Sequence, residues 1–538
     1  MKYCRLTLVL LATFSLILFY YYPAIAQSSP GQDIGAQSER LRKDLEEKEK
    51  SLQKKVQPQT IEIKKEKEET APAPAVYFVL KEIRITGVSL FKPEELEPIY
   101  KPYIGKEVIL EDLEEITEKI KAKYTQEGYP TAVVYIPEQE IKKGVVEIAV
   151  AEGKMGELII ENNKYFSGSF LSRQMHLKKN SCLDISQMER DLLRLNKNPD
   201  IQAKAVISAG KEAQASDVTL KIKDTYPWHL GFSVDNQGSR LTGKIRNIYS
   251  LRSSNFLGNG DYFFLNAVTT SESWGQMSGY VLPLGTQGRK IGLDATYYKM
   301  RLGKEFKDFK IRGRSQIYNV YFSDELYLSR NLEASLDLGM EIKCIDKTIN
   351  GVQASDDQLR IPYFGFNLSK TDSFGWSSFS PRFNFSCEDF LGAASKDHPS
   401  ASRAGTGGFF FQYEQTLNRL QRMPWGSYLS LRSQFQVASN SLPSCEQFQL
   451  GGFNSVRGYP EGDYLADIGT SLNCEWVFPT YLIPVSWKLA KQELPLQKQI
   501  ETVLFADFGW GRLKKNLTGR GKRQDSDWSW WRIKNALF

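Results

Sequence analysis

Histidine is almost missing from this chain. Its 538 residues include three, His176, His229 and His398, so far apart in sequence that a zinc centre or histidine-based catalysis has no natural home. Cysteine is nearly as scarce, with six residues. Cys4 lies in the leader, and Cys182, Cys344, Cys387, Cys445 and Cys474 are widely spaced with no Cys-x-x-Cys. An odd number outside the leader cannot complete a disulfide framework, so they read as scattered small side chains. No Gly-x-x-x-x-Gly-Lys-Ser/Thr occurs, which removes the phosphate cradle of a nucleotide-driven machine. No Gly-x-Ser-x-Gly and no recognisable frame of paired carboxylates occurs either, so the chain reads as a non-enzyme without a cofactor or metal. The net charge of +7 is spread along the sequence, and no basic patch suggests nucleic acid. After the first residues no apolar run is long enough for a spanning helix. If the chain enters a membrane it must do so as strands, because lipid tolerates only helices and closed barrels.

What is present begins with a secretory leader over residues 1–26: Lys2 and Arg5, an apolar core from Leu6 to Phe19, and the small-residue site Ala24-Ile-Ala26. Residues 27–75 are charged, with a thin apolar stripe (Leu41, Leu45, Leu52, Val56) at helical spacing and a Pro/Ala spacer from Thr70. This part reads as a solvated helix or linker, with docking in a cavity as the second reading. Two small β-α-α-β-β units follow at 76–153 and 154–225. The first has Leu113, Ile116, Ile120 and Tyr124 on one helix face. A doubled unit points to modular domains, and with no cluster of acid, base and nucleophile in either, binding outranks catalysis.

From 226 to 538 the period becomes two. Leu332, Ala334, Leu336, Leu338, Met340 and Ile342 alternate with Glu333, Ser335, Asp337, Gly339, Glu341 and Lys343. Leu429, Leu431, Phe435 and Val437 alternate with Ser430, Arg432, Gln434 and Gln436. A soluble sandwich shares such alternation. Long strands with one apolar and one charged face, aromatic at their ends, suit a transmembrane antiparallel β-barrel with lipid outside and water inside. About thirteen strands fit between Trp228 and Trp510.

The long connection after the eleventh strand, residues 439–465, holds Leu450-Gly-Gly-Phe-Asn-Ser-Val-Arg-Gly-Tyr-Pro-Glu-Gly462. Its glycines and proline permit tight bends, and Arg457 brings five donors and a permanent charge. In a confined space such a guanidinium needs an anionic partner.

The order of these parts resembles the two-partner-secretion transporters of Gram-negative outer membranes, the haemolysin secretion/activation (ShlB/FhaC/HecB) type of the Omp85 superfamily. The marks are Val456-Arg457-Gly458-Tyr459 in the sixth extracellular loop and Phe505-x-Asp507 on the strand after next. The resemblance implies two periplasmic POTRA domains before the barrel, a salt bridge between Arg457 and Asp507 on the inner wall, and Val503, Phe505 and Asp507 on the lumen face. It implies export of a large secreted partner protein through a pore seated in outer-membrane lipid, with the protein a monomer. An Omp85-type insertase shares the barrel and loop arginine, and a passive porin needs neither the loop nor the POTRA repeat. That family's barrel has sixteen strands. After Trp510 this sequence turns polar and basic, and Arg532 and Lys534 fall in phase with Phe538, a poor lipid face. The expectation is therefore a C-terminally truncated barrel of about thirteen strands with an open seam.

Overall fold

The computed structural model describes residues 33–53, 61–63, 77–141, 143–212, 215–395, 398–481, 483–484, 486–488, 495–514 and 527–536. The leader, the Pro/Ala spacer, Val56 and Phe538 lie outside them. The chain starts with helix α1 (Ile34–Gln53) and a short strand β1 (Ile61–Ile63).

The first α/β unit comprises β2 (Phe78–Val79), β3 (Glu82–Thr86), α2 (Pro93–Tyr100), β4 (Glu107–Val108), α3 (Leu110–Gln126), β5 (Val133–Tyr135) and β6 (Val145–Ala151). Helix α3 starts where the Asp112 carboxylate accepts from the Ile109 amide at 2.9 Å and stops before Gly128, whose φ of 97° few other residues tolerate. Its stripe Leu113, Ile116, Ile120 and Tyr124 is at most 1% exposed, packed in one core with Ile83, Val146 and Ile148.

The second unit repeats the plan with β7 (Lys154–Glu161), α4 (Gly168–Gln174), α5 (Ile185–Lys197), β8 (Ile201–Ala209) and β9 (Ala215–Asp224). Asp184 caps α5 by accepting from the Gln187 amide at 2.8 Å, and Met188, Leu192 and Leu195 point into the core. Strand β1 pairs in parallel with β8, Ile61 opposite Ala205. These residues fall in the segment expected to be a helix or linker; three residues of Ile-Glu-Ile alternation are too short to announce a strand on their own.

The two units meet at Glu152. Its carboxylate accepts from the Ser89 and Leu90 amides at 2.8 and 3.0 Å, from the Tyr124 hydroxyl at 2.8 Å and from the Cys182 thiol at 3.5 Å. Burial alone would raise this carboxyl. The Ser89 hydroxyl and amide, the Leu90 amide and Tyr124 outweigh it and hold the group below the usual carboxylate range.

Fourteen strands then form one antiparallel meander. The first seven are β10 (Trp228–Asp235), β11 (Arg246–Ser253), β12 (Tyr262–Thr269), β13 (Ser273–Leu284), β14 (Arg289–Arg301), β15 (Arg312–Leu328) and β16 (Leu332–Ile349). Next come β17 (Val352–Asp372), β18 (Gly375–Phe385), β19 (Phe411–Arg422) and β20 (Tyr428–Ala438). The long sixth loop carries its own hairpin, β21 (Phe448–Leu450) and β22 (Tyr464–Ala466), and the wall resumes with β23 (Ile468–Pro479), β24 (Glu501–Arg512) and β25 (Asp527–Ala536). The period-two faces separate as the alternation requires. On β16, Leu338 is 45% exposed on the outer face while Glu341 and Lys343 are at most 2% exposed inside.

Thirteen wall strands therefore lie between Trp228 and Arg512. The expected count of about thirteen holds, and β25, which pairs with β24 throughout, adds one more strand than the polar, basic sequence after Trp510 suggests. The register gives the reason: position 532 stands opposite Asp507 and position 534 opposite Phe505, so these positions follow the inner phase of the wall rather than the lipid phase. Among the described residues β10 pairs only with β11 and β25 only with β24.

Strand β10 starts from the second α/β unit, so that unit lies against the wall's near turns. Helix α5 is joined to them by ions. Arg194 Nε reaches Glu325 at 2.8 Å, and Lys197 Nζ reaches Glu325 and Glu333 at 2.6 and 2.7 Å. Arg330 pairs with Glu189, and the His176 ring nitrogen Nε2 lies 2.8 Å from the Thr286 hydroxyl.

Candidate functional site: helix and loop inside the barrel

Helix α1 runs through the space the wall encloses, which corrects the solvated-helix reading. Its partners lie all round the sheet. Ser38 donates to Ser315 of β15 at 2.9 Å, Lys43 pairs with Glu414 of β19 at 2.9 Å, Asp44 with Arg246 of β11 at 2.9 Å, and Glu47 with Arg432 of β20 at 2.7 Å. The stripe residues Leu41 and Leu45 are buried and join Ile34 in a cluster with wall residues such as Met277 and Tyr298. Gly313 makes room for the helix: a Cβ there would fall 2.1 Å from Ile34 Cδ1.

A buried charge cluster sits at the centre. Lys343 lies 3.0 Å from Glu341, 3.2 Å from Glu39 of the helix and 2.7 Å from Glu446 of the sixth loop. Arg42 approaches Glu341 at 3.3 Å and also pairs with Glu39. Arg382 reaches Glu341 at 2.6 Å with its guanidinium 3.6 Å above the Tyr363 ring centre. Such groups tolerate burial only because each charge is matched.

The sixth loop folds back into the same space. Arg457 Nε donates to Asp507 Oδ2 and Nη2 to Oδ1, both at 2.7 Å, and the Arg457 amide donates to Oδ2 at 3.0 Å. This is a bidentate, planar pairing that lysine could not copy. The guanidinium rests 3.9 Å above the centre of the Phe505 ring, and Asp507 is 3% exposed. Val456 is buried against Gly509, where a Cβ would come within 2.6 Å of Val456 Cγ2. Gly458 takes a φ of 90°, a left-handed turn that glycine accepts without strain. Tyr459 beside it is half-buried. Leu504 on the opposite face is 37% exposed.

Two participants escaped the sequence reading. Glu475 of β23 also pairs with Arg457, and Asn473 donates to Asp507 at 2.8 Å. The available signal was the period of two that puts both on the inner face, Asn473 opposite Asp507 and Glu475 opposite Phe505. A second anchor was likewise missed. Asp467, fully buried, accepts from Arg403 at 2.7 Å, from the Leu442 amide at 3.0 Å, from Gln447 at 3.1 Å and from the Lys514 amide at 2.7 Å. It gathers both ends of the sixth loop with the loops on either side, which are distant in sequence and so gave no local signal.

Comparison with known proteins gives this arrangement its class. The family model for haemolysin secretion/activation protein ShlB/FhaC/HecB matches residues 214–521, and that for the POTRA domain, ShlB-type, matches residues 78–153. Heme/hemopexin transporter protein HuxB of Haemophilus influenzae is 27% identical over 438 residues, 79% of this chain and 74% of that protein. The solved structure of CdiB from Escherichia coli superposes with a TM-score of 0.69 at 19% identity, over 91% of this chain and 94% of that one. CdiB from Acinetobacter baumannii gives 0.65 at 16% identity, over 92% and 91%. The chain belongs to the haemolysin secretion/activation family ShlB/FhaC/HecB. It is a two-partner-secretion transporter of the bacterial outer membrane, a β-barrel with POTRA structure on the periplasmic side, and it works with a large secreted partner protein.

Proposed function

We propose that the described state is the resting pore, closed by α1 and by the sixth loop, and that export begins when both yield. The observation carrying this reading is the single buried ammonium of Lys343, shared by wall, helix and loop. In this reading residues 76–153 and 154–225 are two POTRA domains that receive the unfolded partner, and 226–538 is the lipid-seated barrel, with one chain per pore. Arg457 and Asp507 have a positioning role: they fix the loop against β24, with Val456, Gly458, Tyr459 and Phe505 shaping the turn and its seat. Nothing in the cycle needs bond chemistry or a cofactor, and folding of the partner outside supplies the direction.

Single-channel recording on the full chain and on a variant lacking residues 34–53 tests the closure. The variant should conduct several-fold more. Equal conductance would remove α1 from any gating role.

A further inference from the structure

The outer end of the wall carries a concentrated block of positive charge among the described residues of β14 and β15. On the outer face of β14 and β15, Lys299 stands opposite Arg314 and Arg301 opposite Arg312. All four are exposed. Like charges directly opposite across a strand pair repel, and here two such pairs are stacked. The adjoining turn adds Lys304 and Lys310, also exposed. The neighbouring acids are largely taken: Glu272 by Arg301, Asp346 by Arg314 at 2.8 Å and Glu305 by Arg240, leaving Asp308 in the turn and Asp356, which stands opposite Asp346 on β17. Lys299, Lys304, Lys310 and Arg312 have no carboxylate within 4.0 Å among the described residues.

The depth of this block is fixed by its own strand. From Arg289, at the periplasmic end of β14, to Lys299 is ten residues. At about 3.4 Å per residue and a tilt of about 40° that is roughly 26 Å along the membrane normal, close to the ~25 Å apolar band of such barrels. Between them the outer face carries Ile291, Leu293 and Ala295. Trp274, the cross-strand neighbour of Lys299, packs with Tyr297 at 5.5 Å between ring centres beside the cations, as an interfacial aromatic girdle does. The four cations therefore lie in the headgroup layer of the outer leaflet, facing lipid rather than the lumen.

We propose that this block is a binding site for a phosphorylated glycolipid of the outer leaflet, with the headgroup phosphates set between the two opposed cation pairs. An anion there relieves the cross-strand repulsion, and Arg312 and Arg314 offer the planar donors that suit phosphate. The inference rests on the lipid-seated barrel put forward above and adds the chemistry of one lipid and its place.

The test uses the full chain in detergent, titrated with lipid A bearing two phosphates and with the same lipid after dephosphorylation, bound lipid being counted by native mass spectrometry. The phosphorylated form should bind at least tenfold more tightly. The double variant Lys299→Gln/Arg312→Gln, which disturbs neither ion pair, should bring the preference within twofold, while Arg289→Gln at the opposite rim should leave it intact. Equal binding of both lipids, or an undiminished preference in the double variant, overturns the site. So does full competition by millimolar inorganic phosphate, which would mean a free-anion site. Insertion of each protein into phosphatidylethanolamine/phosphatidylglycerol vesicles separates the two readings. Protein that inserts but shows no phosphate preference overturns only this site, whereas wild type that never inserts overturns the lipid-seated barrel as well.

Discussion

Lys343 and Glu446 form the tie between barrel wall and sixth loop, 2.7 Å apart and both largely hidden from solvent. The same ammonium lies 3.2 Å from Glu39 of the helix, so one side chain holds three elements that meet nowhere in the sequence. Lys343→Met keeps the stem and deletes the charge, leaving Glu39, Glu341 and Glu446 with too few cations. Breaking a buried pair by removing one partner costs about 3–5 kcal/mol. The variant should show a lower thermal unfolding midpoint in detergent and more frequent channel openings. An unchanged midpoint would mean that water already screens the cluster.

Arg457→Ala removes the loop's grip on Asp507 and Glu475 without touching a lipid-facing residue. Export of the partner should fall at least tenfold while the amount of protein in the outer membrane stays level. Arg457→Lys should rescue little, because an ammonium cannot make the two parallel 2.7 Å contacts. Export assays paired with membrane fractionation read both. Normal export by the alanine variant would reduce the pair to a structural detail.

Gly313 offers an opposite perturbation, since it adds bulk where the helix passes. Gly313→Leu would collide with Ile34, three of whose side-chain atoms lie within 2.5 Å of an ideal Cβ. The helix should be displaced and conductance should rise toward that of the helix deletion, with the barrel still inserted. Conductance at the wild-type level would indicate that the helix end simply shifts aside.

The barrel was legible because alternation of a lipid face and a water face is a one-dimensional signal, repeated strand after strand from Trp228 to Arg512. The loop motif was legible too, although only resemblance connected Arg457 to Asp507. The fate of α1 was not. Its apolar stripe is thin, and its charges look like those of any solvated helix until the matching charges on β11, β16, β19 and β20 are known. Lumen strands show polar residues whether they face water or a plug, so Glu341 and Lys343 gave no hint that they are nearly inaccessible. The last strand is not legible either, since only the register with β24 decides which phase positions 532 and 534 follow.

The joint between the two α/β units predicts an acid-sensitive periplasmic region. The Glu152 carboxyl is held below its ordinary range by Ser89, Leu90 and Tyr124. A carboxyl depressed in the folded state adds stability above its unfolded value, near pH 4.5, and loses that contribution as pH falls through the folded value. Stability of the region should thus be flat near neutrality and drop below about pH 4.5. Glu152→Gln should flatten that acid limb and lower stability at pH 7. Hydrogen exchange of residues 89–90 and 182–183 across a pH series would follow it; an acid limb that persists in the variant would point to other carboxylates.

Four ion pairs, made by six long, flexible side chains on α5 and the turns of the wall, help couple the periplasmic arm to the barrel. Contacts of that kind stretch and re-form over several ångströms and respond to dissolved ions where they are exposed. This part of the joint is therefore sprung rather than welded. A tug from cargo at its far end would be felt at the mouth as a change in tilt, and the osmotic and ionic state of the surrounding compartment would set how stiff that spring is.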